Sequence, residues 1–193
     1  MKRDSLLFKA YAKIVLLFTP RRKYVDYLRK YIGIHIGDNC EVYRSANFGS
    51  EPYLVFIGDH VRINSGVHFI NHDGGCWVLR KGISNYQDLY HDIDKIGVIR
   101  VGNNVHIGTN SFIMPGVTIG NNVIIGCCSV VTHDIPDNSV VAGVPARFIE
   151  TIDEYVAKNS DKFLHCKNMK SSDKEKYLLS YFFPDEYSSK KRT

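Results

Sequence analysis

The amino-acid sequence predicts an all-β solenoid, a stack of coils built from very short strands. Three observations carry this prediction. An aliphatic residue returns at every sixth position over much of the chain, the fifth position of each hexad is small, hydroxylated or β-branched, and Gly and Asn recur between them. A helix would space its apolar residues three and four apart, and a half-buried strand would alternate strictly. A period of six instead suits a short strand followed by a turn, with three hexads closing one coil.

The repeat is clearest in "VGNNVH IGTNSF IMPGVT IGNNVI IGCCSV VTHDIP". The leading residues of these hexads are Val101, Ile107, Ile113, Ile119, Ile125 and Val131. The fifth positions are Val105, Ser111, Val117, Val123, Ser129 and Ile135. Earlier hexads begin at Ile36, Val42, Phe48, Ile57, Ile63 and Phe69. We expect these side chains to fill the core and the Gly and Asn residues to form the turns, since both tolerate left-handed backbone angles.

The repeat and its flanks divide the chain into three parts. We expect a helical segment over residues 1–30, the solenoid domain over 31–150 and a charged helical tail over 151–193. Terminal units of a solenoid need a cover, so the tail is expected to cap an open end. The last residues, "SSKKRT", are expected to be disordered.

The apolar segment "LLFKAYAKIVLLF", Leu6–Phe18, has two interpretations. It is too short to span a bilayer, and Lys9 and Lys13 lie inside it. The favoured interpretation is a helix that packs on the domain or against a sister subunit. The alternative is a helix lying on the inner membrane surface, because basic residues flank the apolar stretch. No small-residue cleavage site follows, which argues against a secretory signal.

Composition and charge are those of a soluble globular protein. Of the 193 residues, 44% are hydrophobic and 23% charged, and the formal net charge is +5. No basic face with interleaved aromatic residues accompanies the repeat, so we predict no nucleic-acid partner. The five cysteines lack zinc-type spacing and are expected to be reduced thiols. The predicted location is therefore the cytoplasm, with peripheral membrane contact as the alternative.

The longest interruption of the rhythm starts in "FINHDGGCWVLRKG", and we expect a loop over residues 71–96. Loops of this length inside a compact domain are usually functional or disordered. With Trp77, Tyr86 and Tyr90 this loop is too aromatic for simple disorder, and aromatic faces are natural platforms for sugar rings. The structural alternative is that Trp77 and Leu79 only pin the loop to the domain.

The run "IGNNVIIGCCSVVTHDIPDNSVVAGVPARFI" resembles the C-terminal signature of the hexapeptide-repeat acyltransferases, and the chain is most similar to the galactoside, maltose and nodulation-type O-acetyltransferases. Within that group, "FGSEPYLVFIGDHVRINSGVHFINHDGGCWVLR" resembles the enzymes that acetylate capsular or O-antigen polysaccharides. The resemblance covers residues 31–150. It implies a left-handed parallel β-helix, although crossover connections in other folds are nearly always right-handed. It also implies acetyl-CoA as co-substrate without a metal, a sugar or glycan acceptor, and a homotrimer with active sites between subunits.

Acetyl transfer to a hydroxyl needs a base for the proton and N–H donors for the thioester oxygen, and an imidazole suits the first task. By its position in the resembling family, His72 is the expected general base. Asn47 is the expected orienting partner of its ring, with Arg44 and Ser45 as alternatives. Asp73 is a doubtful direct partner, because neighbours on an extended chain point to opposite sides. Contact of Asp73 with the acceptor and a turn with the two following glycines stay equally open.

The resemblance also implies residues for the cofactor and the acceptor. The expected cofactor residues are Gly108, Thr109, Cys127, Thr132, His133 and Arg147. Gly108 and Thr109 could supply the N–H that faces the thioester oxygen, and Arg147 suits a phosphate. Trp77 and Arg80 could shape the acceptor pocket. The sequence departs from the family at His133, where lysine is common, at His106, where tryptophan is common, and at Cys127 and Cys128, where small residues are common.

Two other functions are open from the sequence. A zinc enzyme of the γ-carbonic-anhydrase type shares the solenoid, and His68, His72 and His106 could be its ligands. The "GVPAR" ending and the long aromatic loop argue against it. A scaffold without catalysis is the third possibility, since a fold does not imply a function.

Overall fold

The structure is a computed structural model, and it describes residues 5–81 and 91–184. The chain forms two compact units, one up to Tyr155 and one from Val156 onward. The first unit contains the whole hexad repeat, and the second contains most of the tail.

Short strands dominate the first unit. In chain order they are β1 His35–Ile36, β2 Glu41–Val42, β3 Val55–Ile57, β4 Arg62–Ile63, β5 His68–Phe69, β6 His72–Asp73, β7 Lys95–Ile96, β8 Ile99–Val101, β9 Val105–Ile107, β10 Phe112–Ile113, β11 Thr118–Ile119, β12 Val123–Ile125, β13 Val130–Val131, β14 Ser139–Ala142 and β15 Arg147–Thr151. Sheet A contains β1, β3, β8 and β11; sheet B contains β2, β4, β9, β12, β14 and β15; sheet C contains β5, β10 and β13. Strands β6 and β7 form a separate antiparallel pair.

The chain visits sheets A, B and C in rotation, and each visit pairs in parallel with the previous one. In sheet A, Val101 lies opposite Ile119, and in sheet B Ile107 lies opposite Ile125. Each leading residue therefore pairs with the leading residue three hexads later, which is the stacking that the period predicts. Among the described residues of these three sheets, only β15 runs antiparallel to its neighbour. It pairs with β14 at the end of the repeat.

The core consists of the residues that the repeat predicts. Every leading residue and every fifth-position residue of the repeat after residue 100 is buried, and Ile107, Ile113 and Ile125 have no exposed surface. Burying one such aliphatic side chain contributes about 1.5–3 kcal/mol. The two fifth-position serines are also buried, and both Ser111 and Ser129 donate hydroxyl hydrogen bonds to the Gly126 carbonyl. These bonds explain how hydroxyl groups are tolerated in an aliphatic column.

The turns between sheets A and B are held by two side-chain ladders. Asn104, Asn122 and Asn138 all have positive φ, between 54° and 58°, as expected for asparagine in left-handed turns. The Asn104 amide donates to Asn122 at 2.9 Å, and the Asn122 amide donates to Asn138 at 2.9 Å. In the neighbouring ladder the donor is a backbone group and the acceptor a side chain: Asn103 N–H donates to Asn121 Oδ1 at 2.8 Å. The polar corner is therefore satisfied from coil to coil.

The N-terminal segment packs on the domain, which confirms the favoured interpretation of the apolar segment. Helix α1, Leu6–Phe18, buries Ala12 and places Val15 and Leu16 against the core. The opposite face is apolar and exposed, with Leu7, Leu17 and Phe18 at 75%, 77% and 82% exposure. Contact of this face with a membrane stays a prediction. Within residues 5–81 and 91–184, no helix has the length and hydropathy that crossing a bilayer requires.

The remaining helices are short. They are α2 Tyr24–Tyr27, α3 Cys76–Lys81, α4 Ile152–Asn159 and α5 Ser171–Phe182. A capping box begins α4: Glu154 N–H donates to Thr151 Oγ1 at 3.2 Å, and Thr151 N–H donates to the Glu154 carboxylate at 2.7 Å. The helical character of the tail is as predicted, whereas its capping role stays a prediction. The terminal "SSKKRT" lies outside the described residues.

Candidate active site

The site forms around the edges of sheet C. Its strands are parallel, so the carboxyl ends of β5, β10 and β13 share one edge. His72 follows β5 by three residues, and Thr132 and His133 directly follow β13. Paired strands are about 4.8 Å apart, so the carboxyl ends of β5 and β13 are separated by two strand spacings, roughly 10 Å along the stack.

The other expected cofactor residues border the same sheet. Thr109 precedes β10 and Cys127 precedes β13, which places both at the amino edge of sheet C. The segment before Arg147 continues the ladder beyond β13, because Val130 N–H donates to Gly143 O at 3.0 Å and Ala146 N–H donates to Val130 O at 2.8 Å. The fold thus gathers the expected cofactor residues around one sheet, although they are dispersed in sequence.

The backbone of Gly108 is committed to the stack. Its N–H donates to the Ile125 carbonyl at 2.9 Å, so that group is already paired inside the sheet. A Cβ at this position would lie 2.5 Å from Cys127 N, which explains why the position needs glycine. Of the two N–H groups expected to face a thioester oxygen, that of Thr109 therefore remains the candidate. The Thr109 carbonyl is held by Cys128 N–H at 2.8 Å.

The wall beside sheet C is open to solvent in this chain. Cys127, Thr132, His133 and Arg147 are all exposed. Thr132 Oγ1 lies 2.8 Å from His133 Nδ1, so the threonine hydroxyl and the imidazole share a hydrogen bond. Cys128 has φ of 58°, a left-handed angle in a turn position that asparagine or glycine occupies elsewhere in the repeat.

Asn71 anchors the start of the loop. Its side chain is 1% exposed and donates to Glu51 O at 2.6 Å and Phe48 O at 3.4 Å, while its Oδ1 accepts from Glu51 N–H at 3.5 Å. The nearby Gly49 has φ of 73°, and a Cβ there would lie 2.3 Å from Asn71 Oδ1. The residue directly before His72 is therefore fixed to a segment of the preceding coil. No local sequence pattern marks Asn71 as an anchor.

His72 lies on the short strand β6, which pairs with β7 so that His72 is opposite Ile96. The antiparallel pair closes the base of the loop, and Gly97 N–H adds a bond to Asn71 O at 2.9 Å. The His72 ring contacts a carboxylate that no sequence pattern marks: Nε2 lies 3.2 Å from Asp94 Oδ1. Asp94 directly precedes β7, so the pairing of the two strands brings it to the ring.

The expected orienting residue Asn47 has other contacts. Its backbone pairs with His68, and its side-chain oxygen accepts from Gly49 N–H at 2.9 Å. The alternatives are engaged elsewhere too, since Arg44 donates to the Leu16 and Thr19 carbonyls and Ser45 bonds to Ser65. In this structure the carboxylate of Asp94 contacts the His72 ring. The orienting role of Asn47 stays a prediction.

Asp73 forms a turn and an ion pair. Its Oδ1 accepts from Gly75 N–H at 2.9 Å, and its Oδ2 lies 3.0 Å from Lys95 Nζ. The Gly75 N–H bond, followed by Lys95, holds the pKa of Asp73 below its usual value. The contacts of Asp73 are therefore those of the turn alternative together with an ion pair, rather than those of a partner to the His72 ring. Contact with an acceptor stays a prediction.

Two acceptor residues were expected in the loop, and they differ in their surroundings. Trp77 is 76% exposed, so it does not pin the loop to the domain of its own chain by burial. Arg80 is tied within the loop, since its guanidinium donates to Ile93 O at 3.0 and 2.7 Å and also to Asp94 Oδ1. Tyr86 and Tyr90 lie outside the described residues.

The three histidines considered as zinc ligands have different environments. His68 stacks on Phe112 with ring centroids 4.9 Å apart, and His72 bonds to Asp94. His106 lies opposite Arg62 across β4 and β9, and burial, followed by this arginine, lowers its pKa. Over residues 5–81 and 91–184, no three His, Cys, Asp or Glu side chains are gathered as metal ligands.

Comparison with known proteins is consistent with this geometry. A family model described as bacterial transferase hexapeptide (six repeats) matches residues 99–133. Protein CapG of Staphylococcus aureus is 45% identical over 91% of this chain and 99% of its own length. Galactoside O-acetyltransferase of Escherichia coli is 36% identical over 88% of this chain and 75% of its own length. A solved galactoside acetyltransferase in complex with coenzyme A has 26% identity and a TM-score of 0.50, with 77% of each chain covered.

Parallel hexad sheets and a histidine-bearing interruption at the edge of one sheet define the class as hexapeptide-repeat transferases. The chain belongs to this family, and within it to the acetyltransferases, because its identity to full-length relatives extends well beyond the repeat itself.

Replacing the loop anchor should destabilise the fold and the site together. Asn71→Leu leaves the Glu51 and Phe48 backbone groups without their buried partner, so we expect a loss of about 1–3 kcal/mol in the free energy of unfolding. Urea denaturation measures it. Asn168→Leu, at an exposed position of the tail, is the matched control. An unfolding midpoint of Asn71→Leu equal to that of the control would contradict the anchoring role.

Proposed function

We propose that the chain transfers an acetyl group from acetyl-CoA to a hydroxyl of a sugar or of a surface polysaccharide precursor, with His72 as general base. The carrying observation is the position of His72: it stands where the hexad rhythm breaks, three residues after β5, at the carboxyl end of sheet C where Thr132 and His133 also follow their strand. The relative named galactoside O-acetyltransferase supports a sugar acceptor.

The contacts of His72 suit a base. The imidazole is partly shielded, with a side-chain exposure of 35%, so a ligand can reach it while its ring is held in place. Backbone pairing with Ile96 and the anchored Asn71 fix its position from both sides. A general base must lie within hydrogen-bond reach of the proton that it removes, and a rigid support for the base keeps that geometry.

The proposed step is a direct transfer. The acceptor hydroxyl oxygen attacks the thioester carbonyl carbon while its proton passes to the His72 imidazole. The carbonyl oxygen becomes negative in the tetrahedral intermediate and takes a hydrogen bond from a backbone N–H, for which Thr109 is the candidate. The C–S bond then breaks, the acetyl ester remains on the sugar, and the proton returns from His72 to the coenzyme A thiolate.

The cofactor is proposed to lie along sheet C. The exposed residues Cys127, Thr132 and His133 line its two edges, and Arg147 follows the segment that extends the ladder. A guanidinium is permanently charged and can pair with phosphate oxygens. The solved relative in complex with coenzyme A supports this co-substrate.

The coils are proposed to wind left-handed and the chain to form a homotrimer, as the resemblance implies. The open wall beside sheet C supports a partner subunit, because its residues and Trp77 are exposed in a single chain. A partner at this wall would exclude water from the thioester, and water exclusion strengthens hydrogen bonds to a developing charge.

The mass of the assembly in solution tests the proposed trimer. Sedimentation equilibrium of the purified protein should give three times the mass of the 22.0-kDa chain, because the chain is proposed to form a homotrimer with active sites between its subunits. The measurement is repeated at several protein concentrations to separate a stable trimer from weak association. A monomer at concentrations where the enzyme is active would contradict a shared active site.

Removing the base should abolish transfer. His72→Ala is expected to lower kcat by about 100- to 10,000-fold, the range that a positioned base contributes. Release of free coenzyme A thiol from acetyl-CoA in the presence of sugar acceptors measures the rate. His91→Ala removes a largely exposed histidine from the same loop and should leave the rate unchanged. Turnover by His72→Ala comparable to this control would overturn the mechanism.

Removing the proposed phosphate ligand should affect binding. Arg147→Ala is expected to raise KM for acetyl-CoA by roughly 10- to 150-fold, because a charge-assisted bond to a phosphate contributes about 1.5–3 kcal/mol, with little change in kcat. Initial rates at saturating acceptor give both constants. Arg22→Ala, at an exposed position outside the wall, is the control. An unchanged KM for Arg147→Ala would remove this residue from the cofactor site.

A further inference from the structure

The side chains of His72, Asp94 and Arg80 form a chain of contacts that begins at the proposed base. Asp94 Oδ1 lies 3.2 Å from His72 Nε2 and also accepts from the Arg80 guanidinium. The same guanidinium donates twice to the Ile93 carbonyl, at 3.0 and 2.7 Å. Arg80 thus holds both the backbone and the carboxylate of the segment that contacts the ring.

These residues come from three elements of the loop. His72 is on β6, Arg80 is in α3, and Asp94 directly precedes β7. The register of β6 and β7 sets where Asp94 stands relative to the ring. The side chains of His72, Arg80 and Asp94 are 35%, 30% and 43% exposed, so the contacts are partly shielded from water.

We propose that Asp94, held by Arg80, is the positioning residue that fixes the ring and tautomer of His72 for acetyl transfer. This inference rests on the proposed function, and it assigns a role that the hexad repeat does not mark. A neutral imidazole has one N–H donor and one acceptor nitrogen. A carboxylate at Nε2 keeps the proton there, which leaves Nδ1 as the nitrogen that receives the proton of the acceptor hydroxyl.

The charges around the ring explain why two residues are needed. In general, a carboxylate beside an imidazole favours its charged form, and a cation that pairs with the carboxylate opposes this effect. Arg80 shares the charge of Asp94, and on the other side of β6 the carboxylate of Asp73 is paired with Lys95 at 3.0 Å. The charges of these four groups sum to zero, so the carboxylate that contacts the ring is part of a balanced set.

The variants separate positioning from a merely structural role. Asp94→Asn offers the ring an amide that does not enforce one tautomer, so we expect kcat to fall about 100-fold while KM for acetyl-CoA stays within about twofold. Asp94→Glu keeps the charge and should recover part of the rate. Asp92→Asn changes a neighbouring, largely exposed carboxylate and should behave like the unaltered enzyme.

The pH dependence gives a readout that a structural role would not move. The base must be unprotonated, so a change that destabilises the imidazolium moves the acid limb of kcat/KM to lower pH. Asp94→Asn is expected to move it in that direction. Arg80→Gln leaves the charge of Asp94 unshared and is expected to move it to higher pH. Displacements of the acid limb in opposite directions in the two variants support the proposal. Equal losses of activity in both variants, with the acid limb at the pH of the unaltered enzyme, overturn it.

A direct observation covers the case in which these variants fold poorly. Nitrogen-15 NMR of the unaltered chain with labelled histidine reports which ring nitrogen of His72 carries the proton. The proposal requires a protonated Nε2 and an unprotonated Nδ1 above the acid limb, and the reverse tautomer would overturn it. An inactive His72→Ala together with a fully active Asp94→Asn would refute this inference alone, whereas an active His72→Ala would refute the proposed function.

Discussion

The close parallel stacking of one coil on the next is the constraint on which the rest of the structure depends. Paired strands are about 4.8 Å apart, so nothing larger than hydrogen fits where backbones meet at Gly108 or at Gly102, whose Cβ would lie 2.6 Å from Gly120 O. The same stacking aligns the leading aliphatic residues in a column and the turn asparagines in ladders. A stack of this kind is rigid, and its regularity leaves little room for a catalytic side chain within the repeat.

The interruption after Phe69 resolves this conflict. It departs from the stack at an anchored residue, Asn71, and returns at Gly97, whose N–H bonds to the Asn71 carbonyl. His72 is therefore beside the rigid wall without being part of it. Two carboxylates and two cations lie at the base of the loop, and of these Asp94 contacts the ring while Arg80 holds Asp94.

Sequence alone predicts the core well and the site in part. Ile107 and Ile113 could be assigned because a repeat reports its own inward positions, and each copy supports the others. His72 could be proposed as the base because it opens the break and matches a family position, and this role stays a prediction. Asn71 and Asp94 could not, because their partners lie about twenty residues away and no local pattern marks the contact. The acidic end of the loop, "HDID", was the available signal for a carboxylate near the returning strand.

The central claim is that His72 receives the proton of the acceptor hydroxyl at the edge of sheet C. A crystal structure of the chain with coenzyme A and a galactoside bound tests it most directly. We expect a sugar hydroxyl oxygen about 2.6–3.2 Å from a ring nitrogen of His72, with the thiol arm along sheet C. A sugar bound away from His72, with the thiol arm on another sheet, would contradict the role of His72 as the base.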